Sequence, residues 1–163
     1  KEGETAPDHK GAIGVNGDDV EGCGVAIPQF KWTEERRIAI AAAAFPAYSQ
    51  ILKALAKHVN AAAFRGFPAG EVRFDGATGG QSSRDPNYAE LTFRFTQQDS
   101  ISNATVGEIT GINVTGWQYW WAEYETVYDT IAKRNVRRPR CIHVERVYDA
   151  ADLSLLGIGI GPI

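Results

Sequence analysis

His143 and Glu145 stand two positions apart, so on a β-strand they share a face and could begin a metal site. A usable site needs three or four ligands. The other two histidines, His9 and His58, fall in a polar N-terminal stretch and in a helical segment, with no HExxH or HxH pair. The preferred reading is a hydrogen-bonded structural histidine and no metal. Cys23 and Cys141 lack CxxC spacing and read as ordinary reduced thiols in preference to a disulfide. The segment GATGGQSS (76–83) has the glycines of a phosphate-binding loop, but Gln81 holds the place where such a loop needs lysine. A hairpin tip accounts for these glycines, and no nucleotide or other cofactor is expected. No G-x-S-x-G elbow occurs, neither cysteine has a protease setting, and no carboxylate pair is singled out by an apolar surround. No catalytic residue emerges, and the chain reads as non-enzymatic.

One short segment, KRNVRRPR (133–140), concentrates five positive charges. Phosphate contact is one use for it. A solvated loop meeting acidic groups of its own chain or of a neighbour is preferred, with Glu2, Glu4, Asp8, Asp18, Asp19 and Glu21 as complement. The net charge of −3 argues against whole-surface binding to nucleic acid. The longest apolar run, Ile38 to Phe45, is far short of the roughly 20 residues that span a bilayer, so no membrane partner is expected.

The elements that must position these residues follow from periodicity. Residues 1–22 are polar and glycine-rich and read as a flexible N-terminal arm. Residues 23–163 read as a single domain with an apolar C-terminal tail. Val25, Ile27, Phe30 and Trp32 alternate across Pro28, as in a strand with a break. Residues 33–45 suit either helix or a continuation of that strand. Pro46 in a first turn opens a helix over 46–59, with Tyr48, Ile51, Leu52, Leu55 and Val59 on one face. Val72 and Phe74 share a strand face. Leu91, Phe93 and Phe95 alternate inward against Glu90, Thr92 and Arg94. The two segments form a hairpin, and residues 137–148 form another strand. A short C-terminal helix starts from Asp149 as N-cap, with Asp152 in its first turn. The expected class is α+β: a mostly antiparallel sheet of about five strands with one main packed helix.

GWQYWWAEYETVYD (116–129) holds three of the four tryptophans. Its periodicity fits a helix, but aromatic enrichment and the strand-like segment after it favour a β-hairpin covered on both faces. Burying one large apolar side chain is worth roughly 1.5–3 kcal/mol. Trp117, Trp120, Trp121, Tyr124 and Tyr128 together represent about 8–15 kcal/mol, the scale of a domain's net stability. Most of these rings should therefore be covered, by core or by another subunit. The chain's end, LSLLGIGIGPI, is apolar where termini are usually polar, and should dock on its own body or on a neighbour.

The succession GVAIPQFKW, AAAFRGFPAGEVRFDGATG, ELTFRF, VGEITGINVTGWQYWWAEY and RPRCIHVERVYDAADLSLLGIG resembles a set of uncharacterised proteins encoded among structural genes of tailed phages and prophages. The likeness covers about residues 24–160 and is most specific in the G-W-x-Y-x-W run and the V-Y-D-x-x-D-x-S-x-L-G-I-G ending. It implies a virion protein of the neck, tail or baseplate, assembled as a homo-oligomer with other virion structural proteins and located in the particle. The residues nominated for subunit contacts are Trp120, Tyr124, Arg137, Arg138, Arg140, Leu156, Ile158, Ile160 and Ile163, together with the arm. The alternatives are a carbohydrate- or ligand-binding β-module with exposed aromatics, or an enzyme of unrecognised type.

Overall fold

The computed structural model describes residues 27–162. The strands are β1 (Gln29–Ala39), β2 (Val59–Asn60), β3 (Val72–Gln81), β4 (Tyr88–Gln98), β5 (Ile101–Val106), β6 (Ile109–Val114), β7 (Tyr119–Asp129), β8 (Arg134–Glu145) and β9 (Ala150–Ala151). One α-helix, α1 (Phe45–Leu55), and a 3-10 turn (Leu153–Leu156) complete the set. The class is α+β with mostly antiparallel pairing, as expected. Within the span read as one domain, the chain packs as two compact units. One holds Pro28–Asp99, Thr115–Trp117 and the chain from Arg146 onward; the other includes Ser100–Val114 and Gln118–Glu145.

The first unit is a five-stranded sheet in the order β1-β4-β3-β2-β9, antiparallel throughout except for β2 with β9. The alternation in β4 buries Leu91, Phe93 and Phe95, which join Val72 and Phe74 of β3, Phe64, and the helix residues Leu52 and Leu55 in one core. Trp32 stacks on Phe95 with ring centroids 5.1 Å apart. Residues 33–39 continue the first strand. Val25, on the other side of the Pro28 break, lies outside the described residues.

Pro46 sits in the first turn of α1, where its missing N–H costs nothing. The helix ends at Leu55, earlier than its periodicity suggested. Ala56 is extended and Lys57 adopts φ 66°. The Lys57 N–H donates to the Phe74 carbonyl at 2.7 Å, and the Phe74 N–H donates to that of His58 at 3.0 Å. These bonds draw the chain into the sheet, so Val59 is buried as a strand residue. Ile51, assigned to the apolar face, is exposed.

The three glycines of GATGGQSS all belong to β3, and the hairpin tip comes later, at 82–87. A register shift between Phe74 and Gly76 bends the strand. Gly79 has φ 128°, and a Cβ there would run into the Glu90 carbonyl oxygen of the neighbouring strand. Close strand approach accounts for that glycine.

The C-terminal segment is held by its own unit. Asp152, not Asp149, caps the 3-10 turn, accepting from the Ser154 N–H at 2.9 Å. The Tyr48 hydroxyl donates to the Leu156 carbonyl at 2.6 Å. Arg65 donates from its guanidinium to the carbonyls of Ile158 (3.0 Å) and Gly161 (2.9 Å), and from its backbone N–H to Ile160 (2.8 Å).

The second unit consists of two hairpins, β5–β6 and β7–β8. Val106, Ile112 and Val114 form its small core, covered by Ile101, Ala104, Ile109, Trp120, Ile142 and Val144. The β5–β6 hairpin has no counterpart among the elements read from sequence. Asp129 organises the β7–β8 turn: its Oδ1 accepts from the N–H groups of Ile131 (2.8 Å) and Ala132 (2.9 Å).

Candidate functional site

Strand alternation gives the β7–β8 ribbon two unlike faces. Trp120, Ile142 and Val144 face the small core. The pairs Tyr119–Glu145, Trp121–His143 and Glu123–Cys141 lie on the other face. A register shift between Glu123 and Tyr124 ends this regular stretch.

Among the described residues the aromatic stripe is only partly covered, and the energetic argument allows another subunit to cover the rest. Tyr128 is 61% exposed and Trp121 40%, while Trp120, Tyr124 and Trp117 are half-buried. Alternation puts Trp121 on the face opposite the small core that Trp120 covers, and Tyr128 lies beyond the register shift, near the end of the ribbon. Trp117 belongs to the sheet unit. Its indole N–H donates to the Glu71 carbonyl at 2.9 Å, and the Arg73 guanidinium lies 4.0 Å over its ring.

Three polar side chains converge on the open face. His143 Nε2 lies 3.0 Å from Glu123 Oε2 and 3.2 Å from Cys141 Sγ, and Sγ lies 3.2 Å from the same Oε2. The second carboxylate oxygen, Oε1, faces Arg140 Nη1 at 3.6 Å. Trp121 stacks on the imidazole at 4.4 Å between centroids, with an interplanar angle of 22°. Hydrogen bonds from His143 and Cys141 hold the Glu123 carboxyl below its ordinary range. The Cys141 thiol is pushed up, first by its bond to that carboxylate and then by desolvation. Cys141 is not in a disulfide. Cys23 lies outside the described residues.

The pairing considered from sequence, His143 with Glu145, is replaced here: Glu145 is exposed and lies opposite Tyr119. The residue two positions away that meets His143 is Cys141. The third member, Glu123, comes from the facing strand. A C-x-H alternation was visible in the sequence, but nothing local points to Glu123, because only strand register brings it opposite Cys141.

The nominated contact residues divide between the units. Trp120 is turned to the small core. Arg137 lies 5.1 Å over the Tyr124 ring. Arg138 pairs with Glu125 at 3.2 Å and Arg140 faces Glu123. The basic segment thus meets acidic groups of its own hairpin; the acidic arm lies outside the described residues. Leu156 requires correction as a contact residue: it is 0% exposed, held in the sheet unit's core with Leu153. Ile158 packs against that core, and Ile160 is 51% exposed. Ile163 lies outside the described residues. Among the described residues, no helix is long and apolar enough to cross a membrane.

No protein-family model, curated protein or solved structure matches this chain.

Proposed function

We propose that this chain is a non-enzymatic structural subunit of a tailed-phage-type particle, at the neck, tail or baseplate, and that it acts through contacts with further copies and with other virion proteins. The observation that carries the association is the β7–β8 ribbon. Its strands are 11 and 12 residues long, each has one strand neighbour among the described residues, and the ribbon exposes Tyr119, Trp121 and Tyr128. Two-stranded ribbons are marginal by themselves. Exposed aromatic area beside a strand edge is what a neighbouring subunit covers. The particle assignment rests on the sequence resemblance.

Light scattering or native mass measurement over a concentration series tests association. Defined multimers that dissociate in Tyr119→Ser/Tyr128→Ser protein are expected. A monomer at high concentration overturns the reading. A second reading has its own observation: Tyr119 and Trp121 sit two positions apart on one open face, as in a ligand platform. Monomeric protein whose tryptophan fluorescence is protected from acrylamide by a soluble oligosaccharide would favour it.

A further inference from the structure

We propose that Glu123, Cys141 and His143 form a three-ligand site for a borderline divalent cation of the zinc class, with a fourth position open to solvent. The inference does not rest on the role in assembly and concerns the free chain, in which Trp121 and the side chains of Glu123 and His143 are partly exposed.

Proton arithmetic is the first argument. Three contacts of 3.0–3.2 Å form a nearly equilateral triangle of Sγ, Nε2 and Oε2. Sulfur and Nε2 can each carry at most one proton into the triangle, so at most two of its three edges hold a hydrogen bond. A cation near the centre satisfies all three atoms at once.

Geometry is the second. Tetrahedral zinc with bonds of about 2.0–2.3 Å places its ligand atoms about 3.3–3.6 Å apart. The observed triangle needs to open by only a few tenths of an ångström. A nucleophilic relay requires a different shape, with cysteine and carboxylate on opposite nitrogens of the imidazole. Here both reach the same Nε2, so the three atoms converge and do not form a chain.

The surroundings fit. Arg140 faces Glu123 Oε1 and leaves Oε2 to the triangle, while Trp121 fixes the plane of the imidazole. Thiolate, imidazole and carboxylate together suit zinc or cobalt and not the all-oxygen preference of calcium or magnesium. The His143 and Glu123 side chains are 41% and 43% exposed, which leaves the outer side of the triangle to water. On binding, the Cys141 proton passes to solvent and the thiolate takes its place on the metal.

The test is titration of the full chain with Zn2+ by calorimetry, and with Co2+ by absorption. The Co2+ spectrum is read in Cys23→Ser protein, where Cys141 is the remaining thiol. One Zn2+ per chain is expected, with a thiolate-to-cobalt charge-transfer band and intense visible bands of a tetrahedral ion. Cys141→Ser, His143→Ala and Glu123→Gln should each weaken Zn2+ binding by about 100-fold or more, since even outer-shell losses cost about 10–100-fold. Glu145→Gln should leave it unchanged. Absence of saturable one-to-one binding, a cobalt spectrum without the thiolate band, or Cys141→Ser binding as tightly as the parent overturns the site. Far-ultraviolet circular dichroism checks each variant. The cobalt band in Cys23→Ser protein decides the matter without altering the triangle, and Cys23→Ala replaces that background if serine perturbs the fold.

Discussion

Arg65 holds Glu34 through one edge of its guanidinium, Nε to Oε1 at 2.8 Å and Nη2 to Oε2 at 2.7 Å, and both side chains are 4% exposed. The same guanidinium holds two carbonyls of the C-terminal segment. Glu34 therefore sits on the buried side of β1 as an anchor for Arg65, and Arg65 ties β1 to the end of the chain. Arg36 and the Trp32 indole N–H also donate to Glu34.

Breaking this pair leaves a buried charge without its partner. Arg65→Ala should cost about 3–5 kcal/mol of stability, read as a lower urea midpoint. Replacing both residues by methionine should recover much of the loss, because an apolar pair needs no desolvation of charge. A single variant with an unchanged midpoint would contradict the buried ion pair.

The pair also sets an acid limit. Burial raises the Glu34 pKa, but hydrogen bonds from Arg65, Arg36 and Trp32 outweigh it and hold the group at about 2 against an ordinary 4.5. A carboxyl with a depressed folded-state pKa contributes fully above its unfolded value and loses that contribution as pH falls through its folded value. The drop is worth about 3 kcal/mol. The stability gap between the parent and Glu34→Gln should narrow steadily from pH 4.5 to pH 2 in urea titrations. A gap independent of pH over that window would show that Glu34 carries no such shift.

Adjacent glycines should behave oppositely. Gly79→Ala meets the Glu90 backbone at a φ that side chains rarely adopt, whereas Gly80 has nothing within 4 Å of its added Cβ. The first should cost on the order of 2 kcal/mol or more, and the second should stay within about 0.5 kcal/mol. Thermal midpoints measured side by side distinguish them.

Leu156 and Ile160 separate folding from association. Leu156→Ala empties a fully buried site and should cost about 2–5 kcal/mol. Ile160→Ala removes a largely exposed side chain and should change stability by about 0.5 kcal/mol or less. If Ile160 lies at a subunit contact, its substitution weakens multimers in light scattering while the urea midpoint stays in place.

The sequence by itself determined what depends on neighbours along the chain. Alternation in 88–98 set the buried face of β4, and Pro46 in a first turn marked the start of α1. Aromatic enrichment together with the strand-like segment after it placed 119–129 in a ribbon. The tertiary structure decided what depends on partners far away. Helix periodicity ran on to Val59, but hydrogen bonds between Lys57, His58 and Phe74 ended the helix and claimed Val59 for the sheet. Leu156 read as part of a sticky end because the core that receives it is built from residues about 60 to 100 positions earlier. Nothing adjacent in the sequence singles out Glu34, because its buried partner Arg65 stands 31 positions away. The Glu123–Cys141–His143 triangle shows the limit most plainly. Cys141 and His143 share a face through local alternation, but Glu123 joins them through cross-strand register, a property of the folded ribbon that no single segment encodes.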